Sequence, residues 1–102
     1  MLTVSLAESR RGVVVCTVWG EIDMTTAPLL AEKLQQPGQP RHLLIDLSGV
    51  TFIGSHGLLA LVEARKAHDP DHLFALIAPS AATRLALNAI GLAELFPYYD
   101  EL

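Results

Sequence analysis

Residues 51–59 read "TFIGSHGLL": a β-branched and aromatic run breaks into Gly-Ser-His-Gly and then into leucines. The change of pattern predicts a helix from Gly57 onward, because β formers give way to Leu58, Leu61 and Val62 at helical spacing. Upstream, "HLLIDL" at 42–47 is a short continuous apolar run, the kind that is buried on both faces of a parallel sheet. The intervening "SGVTFIGS" reads as a connection long enough to carry function. A buried strand, a polar connection and an amphipathic helix make one α/β unit, and the rest of the chain supplies its neighbours.

Residues 2–7 and 13–19 are rich in Val, Thr and Leu and flank the polar turn "ESRRG", so they read as two paired strands. In "EIDMTTAPLLAEKLQQPGQP", Thr25 or Thr26 can cap a helix and Pro28 suits its first turn. Ala27, Leu30, Ala31 and Leu34 recur there at helical spacing, and "QQPGQP" ends the pattern. After the helix that begins at Gly57 and stops at "HDPD", "HLFALIA" predicts a further strand. Pro79-Ser80 opens a last helix, with Ala82, Leu85, Ala86 and Ala89 as its expected buried stripe and Gly91 at the place of a left-handed C-terminal cap. The tail "LAELFPYYDEL" holds one more short candidate strand. The order β-β-α-β-α-β-α predicts a single α/β domain over 1–102, a mixed, mostly parallel sheet packed with amphipathic helices.

Composition narrows the function. With 51% hydrophobic and 18% charged residues, the chain can bury enough apolar surface to offset ordering entropy. The formal charge is −4 and the basic residues are scattered apart from Arg10-Arg11 and Arg65-Lys66, which argues against a nucleic-acid partner. No signal-peptide pattern opens the chain and no window is long enough to span a bilayer, so a cytoplasmic protein without a membrane partner is expected. Cys16 has no second cysteine to pair with, and in "VVVCTVW" it alternates with Val14 and Val18 on one strand face, where it reads as a small core residue. The four histidines are too dispersed for a zinc cage, and neither a metal nor a cofactor is expected.

Ser55 stands where the helix should begin, and two readings of it are compatible. Its oxygen can cap the helix, or it can carry a phosphate favoured by the helix dipole and by unpaired backbone N–H groups. A nucleophilic serine is the weaker idea. A G-x-S-x-G elbow would need glycine at 53, where the chain has Ile53, and His56 would project about 100° away from Ser55 on a helix. His56 therefore reads as an exposed helix-start residue. Gly54 and Gly57 let the backbone turn sharply and let another surface approach, which suits docking of a partner chain. No nucleotide-cradling glycine loop suggests a small-molecule sensor.

On these residues the chain resembles the STAS domain of bacterial anti-sigma factor antagonists. "IDLSGVTFIGSHGLLALV" at 45–62 is similar to that family's central motif, "GEID" at 20–23 to its first, and "APSAATRLALNAIGLAELFPYY" to its last block. The resemblance implies an interaction switch without catalysis of its own. Members bind an anti-sigma factor that is also a serine kinase, release the sigma factor, and are switched off when that kinase phosphorylates the motif serine, here Ser55. A serine phosphatase would reset the switch. The partner-binding residues so implied are Asp23, Gly54, Ser55, His56, Gly57 and Leu58. Asp23 would help dock the kinase or orient the hydroxyl, or else bond to Thr25 or Thr26. Asp46 would tie down the turn after its strand.

The chain departs from the family pattern in three places. Gly54 stands for the family's Asp, His56 for its Ser or Thr, and the chain stops near Leu102 where many members continue into another helix. A missing helix would leave an apolar patch that favours a homodimer or larger assembly. The same short end motivates an alternative within the fold, a STAS subunit that binds and stabilises the ATPase of a bacterial lipid-transport ABC complex.

Overall fold

The structure is a computed structural model that describes residues 1–35, 42–91 and 93–101. β1 (Leu2–Arg10) and β2 (Val13–Ile22) pair antiparallel, with Leu2 opposite Gly20 and Leu6 opposite Cys16. α1 (Ala27–Gln35) then leads to β3 (His42–Ile53), α2 (Ser55–Ala67) to β4 (Phe74–Ile77), and α3 (Ala81–Ala89) with a 3-10 turn at Ala93–Leu95 to β5 (Tyr98–Tyr99). The five strands lie in sequence order, and every pair after the first is parallel. Parallel neighbours need a crossover, and the helices supply it. This is the predicted mixed, mostly parallel α/β sheet.

Alternation along β2 buries Cys16 and Val18 completely, and Leu43, Ile45 and Leu47 of β3 do the same next door. Leu30 and Leu34 of α1 and Leu58, Leu61 and Val62 of α2 pack into this one cluster, which reaches Leu76, Leu87 and Phe96. β4 is buried at all four residues, as its unbroken apolar run predicts.

Three expectations are corrected. The connection "SGVTFIGS" is strand as far as Ile53, since β2 continues to Ile22 and offers a ladder: Gly49, Val50, Phe52 and Ile53 lie opposite Trp19, Gly20, Glu21 and Ile22. The register shifts between Thr17 and Trp19, and there the Asp46 carboxylate accepts the Ser48 N–H at 2.9 Å, so it ties down a bulge instead of a turn.

The helix whose apolar pattern opens at Gly57 has Ser55, expected at its start, as its first residue. In α3 the buried residues are Thr83 and Leu87; of the expected stripe Ala86 packs against the core, while Ala82, Leu85 and Ala89 face outward and Leu85 is 68% exposed. Ser80 caps α3 by accepting the Thr83 N–H at 3.1 Å and shares a hydroxyl bond with Thr83 at 3.0 Å, so a buried threonine is satisfied and the inward face is set one residue away from the expected one.

Other expectations hold. Gly91 has φ 73 and donates to Asn88 O just past α3. β5 forms in the tail. Of the "QQPGQP" run expected to end α1, residues 36–40 lie outside the described residues.

Burial pushes the Cys16 thiol up to about 11, so native thiolate is scarce at neutral pH. A thiol reagent at pH 8 is expected to titrate no cysteine in folded protein and one per chain in denaturant; rapid labelling of the native protein would contradict the placement of Cys16.

Candidate functional site

The ends of β2 and β3 carry two loops side by side. The Gly54 N–H donates to Ile22 O at 2.8 Å, which fixes the start of α2 against the start of the β2–α1 loop. Gly54 is the N-cap residue in extended conformation, and the Leu58 N–H closes the first turn on Gly54 O at 3.0 Å. Ser55 is therefore the first residue of the helix, and its hydroxyl caps nothing. The capping role expected for it is corrected: the cap is a backbone carbonyl, and the serine oxygen points from an exposed position beside unpaired N–H groups.

Gly57 faces the other way. A Cβ there would stand 2.5 Å from Ile22 Cγ2 and 2.8 Å from Ile53 Cγ1, so the close approach that glycine allows is to the chain's own strands. Leu58 is 8% exposed and lies in the core. Of the residues the motif brings forward, Ser55 and His56 are exposed and Gly54 is half-buried, with Gly57 and Leu58 as the footing beneath them. His56 is exposed and makes no bond to Ser55, so the pair has no nucleophile–base geometry.

Asp23 lies in the neighbouring loop, directly after Ile22. Its Oδ1 accepts the Thr25 N–H at 2.9 Å, the Thr25 hydroxyl at 2.7 Å and the Thr26 N–H at 3.0 Å. The Thr26 hydroxyl donates to Glu21 O at 2.8 Å, lies 3.1 Å from Asp23 Oδ1, and accepts the Asp23 N–H at 2.9 Å. This net occupies the unpaired donors ahead of α1 and sets its direction. The Thr25 hydroxyl first, then the Thr26 N–H, hold the Asp23 carboxyl below its ordinary 3.8. Of the two roles open to Asp23, the bonds to its threonines are present in the structure.

The surface around Ser55 is apolar to a degree the sequence did not announce. Phe52 is 55% exposed, and its ring lies beside Gly54, where a Cβ would meet Cε2 at 3.3 Å. Met24 in the Asp23 loop and Leu59 one turn along α2 are also exposed. Periodicity gave no sign of Phe52, because "SGVTFIGS" reads as a connection and assigns it no face.

Elsewhere, a cavity of about 40 Å³ between α3 and β5 is lined by Leu76, Leu87 and Phe96, with Arg84 over the Tyr98 ring at 5.3 Å. It has room for a few water molecules and falls well short of a site for a metabolite. Among the described residues, no group of three His, Cys, Asp or Glu side chains is arranged to hold a metal ion, and no helix is long and apolar enough to cross a membrane.

Comparison with known proteins matches this arrangement to one family. The STAS domain model matches residues 5–102. The chain is 34% identical over 103 residues to the anti-sigma-F factor antagonist RsfB of Mycobacterium tuberculosis, covering 99% of this chain and 84% of that one. A crystal structure of an anti-sigma factor antagonist from Mycobacterium paratuberculosis is 38% identical, with a TM-score of 0.89 over 100% of this chain and 88% of that one. The Bacillus cell fate determinant SpoIIAA in its phosphorylated form is similar in fold alone, at 18% identity and a TM-score of 0.75 over 97% of this chain and 93% of that one.

Two outcomes are expected. Gly57→Ala gains about 1 kcal/mol of helix propensity but overpacks buried Ile22 at a cost of about 1–3 kcal/mol, so its urea midpoint should fall below that of wild type. For Asp23, a folded pKa below the unfolded one means its contribution is present above pH 3.8 and is lost as pH falls through the folded value. The stability deficit of Asp23→Ala should therefore be full at pH 6 and fade in stronger acid; a deficit independent of pH would show that the carboxylate does not hold the loop.

Proposed function

The chain belongs to the STAS domain family, and from that premise we propose that it is an anti-sigma factor antagonist whose Ser55 surface docks onto an anti-sigma factor with serine kinase activity. The observation that carries the proposal is Ser55 itself: an exposed hydroxyl at the first position of α2, engaged in no cap, on a turn held by backbone bonds and a buried glycine. A kinase can reach such a hydroxyl without unfolding anything. RsfB, an antagonist by name, aligns with nearly the whole chain, and a protein of the same fold has been described in a phosphorylated form.

The chemistry belongs to the partner. The Ser55 oxygen attacks the γ-phosphorus of ATP, the bond from that phosphorus to the bridging oxygen breaks, ADP leaves, and a base of the kinase takes the hydroxyl proton. This chain only presents the nucleophile and performs no catalysis. A serine phosphatase returns the hydroxyl.

Consequences for binding follow from where the dianion lands. At the first turn of a helix a phosphate is tolerated by its own protein, since N–H dipoles and free donors face it. Toward the partner it is a cluster of about two negative charges, and no Lys or Arg lies between Gln36 and Ala64 other than Arg41 to accompany it. Pressed into an interface that has no basic groups for it, it costs several kcal/mol. Fold retention and loss of binding thus go together.

With the serine-kinase anti-sigma factors of the source organism and ATP, wild type should gain one phosphate at Ser55 by mass spectrometry, and Ser55→Ala none. Ser55→Glu should keep the wild-type melting temperature within a few degrees and bind at least about a hundredfold more weakly, the equivalent of about 3 kcal/mol. If no kinase of the panel binds either wild type or Ser55→Ala, the function is wrong.

A further inference from the structure

We propose that Phe52 is a specificity-determining contact of the Ser55 surface, and that Gly54 positions it by leaving room for its ring beside the helix start. The inference rests on the docking role given to Ser55 and names what chemistry the partner must offer next to it: an apolar depression that receives an aromatic ring.

Phe52 is the penultimate residue of β3, paired opposite Glu21, and more than half of it is in water. Its ring lies beside Gly54. A Cβ at residue 54 would stand 3.3 Å from ring atom Cε2 and 3.5 Å from Cζ, with Ile22 O at 3.8 Å on another side. The ring therefore occupies the margin of the space that a side chain at 54 would enter. A methyl group there obliges the ring to give by a few tenths of an ångström. An aspartate adds a longer side chain beside the ring edge at Cε2 and Cζ, and the ring must give further to make room for it. With glycine at 54, ring and Ser55 form one continuous surface.

The neighbours extend it. Leu59 follows Ser55 by four residues on the same side of α2 and is 53% exposed; Met24 is 66% exposed in the loop that begins where Ile22 O holds Gly54 N–H. The charged side chain of this loop, Asp23, is engaged with its own threonines. An aromatic with few rotamers is the kind of residue on which binding energy concentrates, and an apolar rim around a serine is the kind of surface that a dianion spoils.

The test uses purified full-length chain and the same panel of serine-kinase anti-sigma factors, with Phe52→Ala, Gly54→Asp, and Leu85→Ala on the far helix as control. Phe52→Ala should weaken the strongest wild-type interaction about tenfold or more, slow Ser55 phosphorylation in parallel and leave the melting temperature unchanged. Gly54→Asp should change the rank order of the panel, and Leu85→Ala should stay within about twofold of wild type. Without any partner, the Gly54 Hα protons should carry a ring-current shift in NMR spectra that disappears in Phe52→Leu.

Should Phe52→Ala bind within twofold of wild type while Ser55→Glu does not bind, the specificity role is refuted and the switch survives. Absence of the ring-current shift refutes the positioning by Gly54. Failure of every kinase to bind wild type overturns the switch, and this inference with it.

Discussion

Gly57 pressed against Ile22 and Ile53 is the contact on which this end of the molecule depends. It lets α2 come down onto the ends of β2 and β3, and the Gly54 N–H on Ile22 O fixes the same approach from the backbone side. Once Leu58 and Leu61 are driven into the core by that approach, the helix has no rotational freedom left, and Ser55 and His56 must face outward. The exposure of the serine is thus set by a glycine two residues away. From the other side, Asp23 and its threonines lock the neighbouring loop without borrowing any group from α2.

Much of the architecture could be read in the residues, and the reasons differ by element. β4 was legible because an unbroken apolar run of strand length has few other places to go, and the end of α3 because Gly91 stands where a positive φ is needed. Ser48–Ile53 was not legible as strand: Ser-Gly looks like a loop, and only the length of β2, a nonlocal partner, makes the second half of β3 pair. The inward face of α3 was misplaced because alanines look buried in sequence while a threonine does not, although the Ser80 cap that satisfies Thr83 is a local contact three residues away.

At the site itself, sequence pattern found the residues but not their division of labour. Leu58 was legible as part of the apolar helix stripe and His56 as an exposed helix-start residue, but nothing in the Gly-Ser-His-Gly run said that Gly57 is footing; packing against Ile22 and Ile53 decides that. Ser55 kept its importance and lost its capping duty. Phe52 was hidden because the run that holds it reads as a connection, so no strand face was assigned to it.

The chain's lone tryptophan has a practical meaning in this setting. Trp19 is 46% exposed, and its ring packs over Gly49, where a Cβ would meet Cδ1 at 2.5 Å. Along β2 it is only two residues from Glu21, the partner of Phe52 in the ladder, a separation of about 7 Å at strand spacing. A single indole held in one orientation at that distance is an intrinsic fluorophore for the face beside it. Emission from unlabelled protein would then follow occupancy of the neighbouring surface in real time.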